Sequence, residues 1–119
     1  MSKNRTFLLG VGAQKAGTTW LYSYAASSPN TNMGDMKEYH VWDGLWSPVA
    51  TGRKLQKSQL SDFDKRDFLR FCMQEHDGFY ECYFNSLLNG GAELTGDITP
   101  EYCLLSSDDF LNLRKKLQK

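Results

Sequence analysis

The sequence predicts an α/β fold in which a short parallel sheet is flanked by helices. Three observations carry this. A short apolar run at 7–11 ends in glycine and leads at once into a segment with helical spacing. A second helical stretch, 79–88, is closed by Asn89-Gly90-Gly91 and leads into another short strand at 93–98. Strand, glycine loop, helix, then more helix and strand is the order of a parallel layer covered by helices.

The elements follow in order. Phe7-Leu8-Leu9-Gly10-Val11 reads as a strand buried on both faces. Residues 12–17 form a loop, and Thr18-Thr19 open a helix running to about Ser27. Its apolar positions Trp20, Leu21, Tyr24 and Ala25 fall on one face. Pro29 ends it, because the residue before a proline avoids helical angles. Residues 30–59 are loop-rich, with one short extended piece expected near 39–42. Ser61-Asp62-Phe63-Asp64 has the spacing of a capping box, with a helix following to about Glu75. Ser106 or Ser107 caps a last helix to about Leu117, whose end carries Arg114, Lys115 and Lys116, as the helix dipole favours.

Composition limits what the chain does. At 119 residues it is one domain, and 40% hydrophobic with 24% charged residues is ordinary globular usage. Fourteen basic residues balance fourteen acidic ones. There is therefore no global pull toward nucleic acid or anionic membrane, and any anion site is local. No apolar run reaches membrane-spanning length, and the start does not read as a signal peptide, so the expected location is cytoplasmic. Cys72, Cys82 and Cys103 contain no C-x-x-C pair and are expected as buried free thiols. Trp20, Trp42 and Trp46 are expected in the core or a pocket wall. No metal-ligand cluster is evident, and no metal is expected.

The most informative stretch is Gly12-Ala13-Gln14-Lys15-Ala16-Gly17-Thr18-Thr19. It follows a strand and precedes a helix, the setting of a phosphate loop. Glycines allow a tight turn and close approach to a ligand. The first helical amides lack internal partners and lie at the positive end of the helix dipole, so an anion docks there. Lys15 adds a full charge, and Thr18 and Thr19 add hydroxyls. The nucleoside-triphosphatase pattern puts its lysine directly after the second glycine. Here Thr18 occupies that place, and the lysine sits inside the loop.

With that shifted lysine, residues 8–21 resemble the 5′-phosphosulfate loop of the sulfotransferases that use 3′-phosphoadenosine 5′-phosphosulfate (PAPS). The likeness is to the Golgi-type glycan enzymes and their bacterial and viral relatives. Two further segments resemble the same family in the same order. Lys37-Glu38-Tyr39-His40-Val41-Trp42-Asp43 is similar to its Lys-Glu-x-His-aromatic-aromatic-Asp segment. Gly96-Asp97-Ile98-Thr99-Pro100-Glu101-Tyr102 is similar to its Gly-Glu-x-Ser/Thr-Pro-x-Tyr segment. Between 46 and 94 only helical character matches.

The resemblance implies a P-loop-like three-layer sandwich, with 1–119 as the N-terminal part of one sulfotransferase-like domain. It implies sulfuryl transfer from PAPS to a hydroxyl or amine acceptor, a carbohydrate among the candidates, without a metal. Gln14, Lys15, Ala16, Gly17, Thr18, Thr19 and Trp20 would hold the donor, with Lys15 meeting the charge that develops on the leaving phosphate. Glu38 would be the base, and His40 would orient it or act as a second base. Lys37, Thr99 and Pro100 would contact substrate. Where many glycan-acting members carry lysine before the Ser/Thr-Pro pair, this chain has Ile98.

The family's 3′-phosphate-binding strand and Arg/Ser segment would follow position 119. The sheet is therefore expected to be incomplete at its C-terminal side, with an exposed edge, weak or no turnover by 1–119 alone, and self-association or a completing partner. Two other functions fit the residues: a noncatalytic nucleotide- or anion-binding module of the same ancestry, and a P-loop kinase, which Thr18 disfavours.

Overall fold

The computed structural model describes residues 5–12 and 17–118, and Gln14, Lys15 and Ala16 lie outside them. Two strands form the sheet. β1 (Thr6–Gly10) runs parallel to β2 (Leu94–Ile98), from Thr6 opposite Leu94 to Gly10 opposite Ile98. On its far side β2 is bridged at Leu94 by Thr31, with Asn32 N–H donating to the Leu94 carbonyl at 2.9 Å. Among the described residues β1 has no second neighbour. The register is tight at Gly96, where a Cβ would stand 2.2 Å from the Leu8 carbonyl oxygen, so no side chain fits there.

Five helices flank this sheet: α1 (Thr18–Ala26), α2 (Trp42–Trp46), α3 (Lys65–Glu75), α4 (Phe79–Asn89) and α5 (Ser107–Leu117). Short 3-10 turns span Thr51–Arg53, Lys57–Asp62 and Pro100–Leu104. Alternation along β1 sends side chains to both faces. Phe7 and Leu9 join a core with Tyr39, Trp42, Tyr80, Phe84 and Leu113, whereas Leu8 packs with Ala25, Met33 and Ile98. Both faces of β1 are packed, but its residues 7–10 are only half-buried, short of the burial expected of the apolar run.

Phe84 is the hub of the larger core. The rings of Phe7, Tyr39, Tyr80 and Tyr83 surround it with centroids 4.9–5.1 Å away, all steeply inclined to it. Edge-to-face contacts of this kind add to the gain from buried area. α5 is set by Ser106 and Asp109, whose side chains cap each other's backbone amides, and it presses Leu113 into the same core.

Four expectations need correction. No strand forms at 39–42. The amides of Tyr39, His40 and Val41 are taken by side-chain oxygens rather than a neighbouring strand, and Trp42 instead begins α2. The cap of α3 is Asp64, which accepts from Asp67 N–H at 2.8 Å, and Ser61 lies in the preceding 3-10 turn. On α1, Ala25 is buried but Trp20 and Tyr24 are 68% and 67% exposed, stacked on each other at 5.4 Å. Among the described residues β1 has no neighbour on its outer side, and the two rings cover one another instead. Of the free cysteines, Cys72 is half-buried while Cys82 and Cys103 are exposed, on the outer side of α4 and in the turn after β2.

The Phe84 hub gives a stability prediction. Phe84→Ala should cost about 3–5 kcal/mol, a large share of the ~5–15 kcal/mol available to a domain of this kind. Leu111→Ala, at an exposed position of α5, should stay within about 0.5 kcal/mol. Urea denaturation of both variants checks this, and equal losses would contradict it.

Candidate functional site

The site is built at the carboxyl ends of the strands, where ligands gather in open α/β sheets. Its foundation is Asp97, near the end of β2 and wholly buried. One oxygen accepts from Thr99 Oγ1 at 2.6 Å, and the other accepts from Tyr80 OH at 2.8 Å and Tyr102 OH at 2.6 Å. Burial raises the Asp97 carboxyl above its ordinary range, while the three hydroxyls pull it back in part. Burial next to this carboxylate pushes the Tyr80 and Tyr102 phenols well up.

Thr99 passes this anchoring to the loop at 37–43. Its hydroxyl oxygen accepts from the amides of Tyr39 at 2.9 Å and His40 at 3.3 Å. Tyr102 OH accepts from Val41 N–H at 3.2 Å. From α3, Arg70 donates to the carbonyls of Tyr39 and Glu38, and Gln74 donates to that of His40. His40 is held at φ 52°, a left-handed conformation uncommon for a non-glycine residue. Such a backbone persists where its surroundings over-determine it, and here four side chains do so.

The clamped loop aims its polar side chains together. His40 Nε2 lies 3.1 Å from Glu38 Oε1, and Nδ1 lies 2.8 Å from Asp43 Oδ2. Asp43 is placed by the single turn of α2 that follows. Glu101, in the turn after β2, stands 3.9 Å from His40 Nδ1 and is paired outward with Arg53 at 3.1 Å. Lys37 Nζ lies 3.7 Å from Glu38 Oε2 and donates to Thr19 Oγ1 in the first turn of α1 at 2.5 Å. Lys37 thus joins the glycine loop's helix to the Glu38–His40 pair.

The residues named from sequence fall into three groups. Lys37, Glu38 and His40 come together, with Thr19 beside them. Thr99 and Pro100 are buried under the loop, and the Thr99 hydroxyl is fully occupied by Asp97 and the two amides. Thr18 is half-buried at the start of α1. Gly17 takes a left-handed conformation at the N-cap, and Trp20 points outward and is largely exposed. At the loop's near end, Gly12 has φ 116° and lies against the turn after β2, where a Cβ would come 2.6 Å from the Pro100 carbonyl oxygen. The calls on Gln14, Lys15 and Ala16 lie outside the described residues.

Besides Asp97, Tyr80 and Tyr102 beneath the loop, Asp43, Glu101, Arg70 and Gln74 went unassigned in the sequence reading. Asp43 had a usable signal, since it stands three positions after His40 within a quoted motif. Glu101 stood in a variable motif position, and the two α3 residues carry no local pattern.

Beside Glu38 an open depression of about 340 Å³ is lined by Tyr22, Asp35, Met36, Lys37, Arg66 and Arg70. A larger one, about 620 Å³, lies between α1 and the starts of the strands and contains none of these residues. The chemistry selects the smaller depression. Among the described residues no helix is long and apolar enough to cross a membrane. Comparison of the chain with protein-family models, curated proteins and solved structures finds no match.

Asp97→Asn should lower stability by about 1–3 kcal/mol, because a hydroxyl donor loses its acceptor in the interior. The pH dependence follows from the raised carboxyl. The stability it contributes is fully present below the unfolded value near 3.9 and is lost as pH rises through the folded one. The gap between wild type and Asp97→Asn should therefore be widest in acid and narrow toward neutrality. Urea titrations across pH 3–8 measure it, and a gap that widens with pH would refute the assignment.

Proposed function

We propose that the chain carries the donor loop and the base of a PAPS-dependent sulfotransferase, on a sheet of the P-loop-like sandwich type. The observation that carries this reading is Lys37. It spans from Thr19 in the first turn of α1 to Glu38, and so sets a carboxylate beside the helix start that would receive the donor's 5′-phosphosulfate.

In this reading the 12–19 loop binds the donor through Lys15, the amides of 16–19 and the two threonine hydroxyls. The acceptor's hydroxyl or amine enters the depression beside Glu38. Its heteroatom forms a new bond to sulfur as the bond from sulfur to the phosphate oxygen breaks. The bonding pair leaves on the phosphate, where Lys15 and the helix start stabilise it. The acceptor's proton passes to Glu38. His40, backed by Asp43, holds Glu38 Oε1 in position. Thr99 and Pro100 act beneath the loop by holding it, rather than by touching the acceptor. Lys37, Arg66 and Arg70 bring three cations to the depression, beside the carboxylates of Asp35 and Glu38.

Calorimetric titration with adenosine 3′,5′-bisphosphate, alongside ATP with magnesium, tests the donor side. The bisphosphate should bind in preference to ATP, and Lys15→Ala should weaken it about 10- to 100-fold through loss of a charge-assisted bond. Glu38→Gln should leave that affinity within a few-fold while lowering sulfuryl transfer from labelled PAPS about 10²- to 10⁴-fold. Preference for magnesium-ATP would overturn the reading in favour of phosphoryl chemistry.

A further inference from the structure

The cluster around His40 holds a second kind of chemistry. One ligand atom from each of Glu38, His40 and Glu101 lies within 4.8 Å of the others. Each of the two glutamates gives its Oε2 to an outer cation, Glu38 to Lys37 and Glu101 to Arg53. Glu38 Oε1 lies 3.1 Å from His40 Nε2, and Glu101 Oε1 lies 3.9 Å from Nδ1, on the side where Asp43 also stands. Ligand atoms from two elements, the 37–43 loop and the turn after β2, thus lie within one coordination-sized cluster.

Asp43 supplies an independent observation. It is wholly buried, and its Oδ2 lies 2.8 Å from His40 Nδ1, while Nε2 is the nitrogen facing Glu38. A buried carboxylate on the far nitrogen is the usual support of a metal-bound histidine, because it sets the tautomer and the ring's orientation. Its other oxygen, Oδ1, has no hydrogen-bond partner. A buried carboxylate oxygen left unpaired marks a place where counter-charge is short.

We propose that Glu38, His40 and Glu101 form a three-ligand site for a divalent transition-metal ion of the zinc or manganese type, with Asp43 as the carboxylate behind the histidine. One imidazole and two carboxylates suit such ions better than soft, thiol-seeking ones. Tetrahedral bonds of 2.0–2.2 Å need ligand atoms about 3.4 Å apart. The Glu38–His40 distance already meets this, and rotation of the two partly exposed glutamates supplies the rest. Three protein ligands leave a fourth position open. An ion here engages the carboxylate that the proposed transfer uses as base, so metal and acceptor compete for Glu38. The site itself does not depend on the sulfotransferase reading.

The test is calorimetric titration of the chelator-treated chain with Zn²⁺ alone, and Co²⁺ absorption, both without nucleotide. One Zn²⁺ should bind per chain. Glu38→Gln and Glu101→Gln should each weaken it at least about 10-fold, and Asp43→Asn about 10- to 100-fold. His76→Ala and Cys103→Ser, both at exposed positions, should leave it unchanged. Bound Co²⁺ should show d–d bands without a thiolate charge-transfer band. Circular dichroism confirms that each variant is folded. Absence of Zn²⁺ uptake, uptake indifferent to both glutamine variants, or uptake lost in Cys103→Ser would each overturn the proposal. Because no donor is present, failure of bisphosphate binding would leave this result standing, and the reverse also holds.

Discussion

One buried carboxylate organises the molecule. Asp97 sits in the interior at a desolvation cost that would be prohibitive without partners. Three hydroxyls from three places meet it: Tyr80 on α4, Thr99 just past β2, and Tyr102 in the turn beyond. Each hydroxyl has a second duty. The Tyr80 ring packs against Phe84 and Trp42, while Thr99 and Tyr102 receive the amides of the 37–43 loop. Helix, strand end and loop are thereby referred to a single point. In a low-dielectric interior such a network is rigid when every member is satisfied.

The loop shows what that rigidity accomplishes. It has no strand to pair with and no regular helix until Trp42, yet its backbone polar groups are taken up by Thr99, Tyr102, Arg70 and Gln74. This substitution of side chains for secondary structure lets His40 occupy a left-handed conformation. The conformation turns the imidazole between Glu38 and Asp43. Both chemistries proposed for this cluster, proton acceptance and metal capture, draw on that one geometry.

Much of this was legible in the sequence where the signal is local. The strands, the glycine-led helix and the Ser106 cap follow from residues within a few positions of one another, and the structure has them there. Glu38 and His40 stand two apart in a motif, and they meet. What was not legible depends on distant partners. The extended segment expected at 39–42 failed because its amides are met by Thr99 and Tyr102, some sixty positions away. Trp20 and Tyr24 have the helical spacing of a buried face, but spacing cannot say whether anything lies opposite. Nothing local to Asp97 shows that Tyr80 and Tyr102 enclose it. The glycine loop at 12–19 was the clearest sequence feature, and four of its eight residues, 13–16, lie outside those described.

The parallel pairing of β1 with β2 has a kinetic consequence. Residue 6 meets residue 94, and every element but the last turn and helix lies in the chain between them. Closing so long a loop costs entropy before any contact returns it, and folds that rely on such distant pairings form slowly. Thr99 and Glu101, which support and flank the loop at 37–43, follow β2 in the chain. A nascent chain therefore lacks the supports of the Glu38–His40 cluster until most of its length has been made.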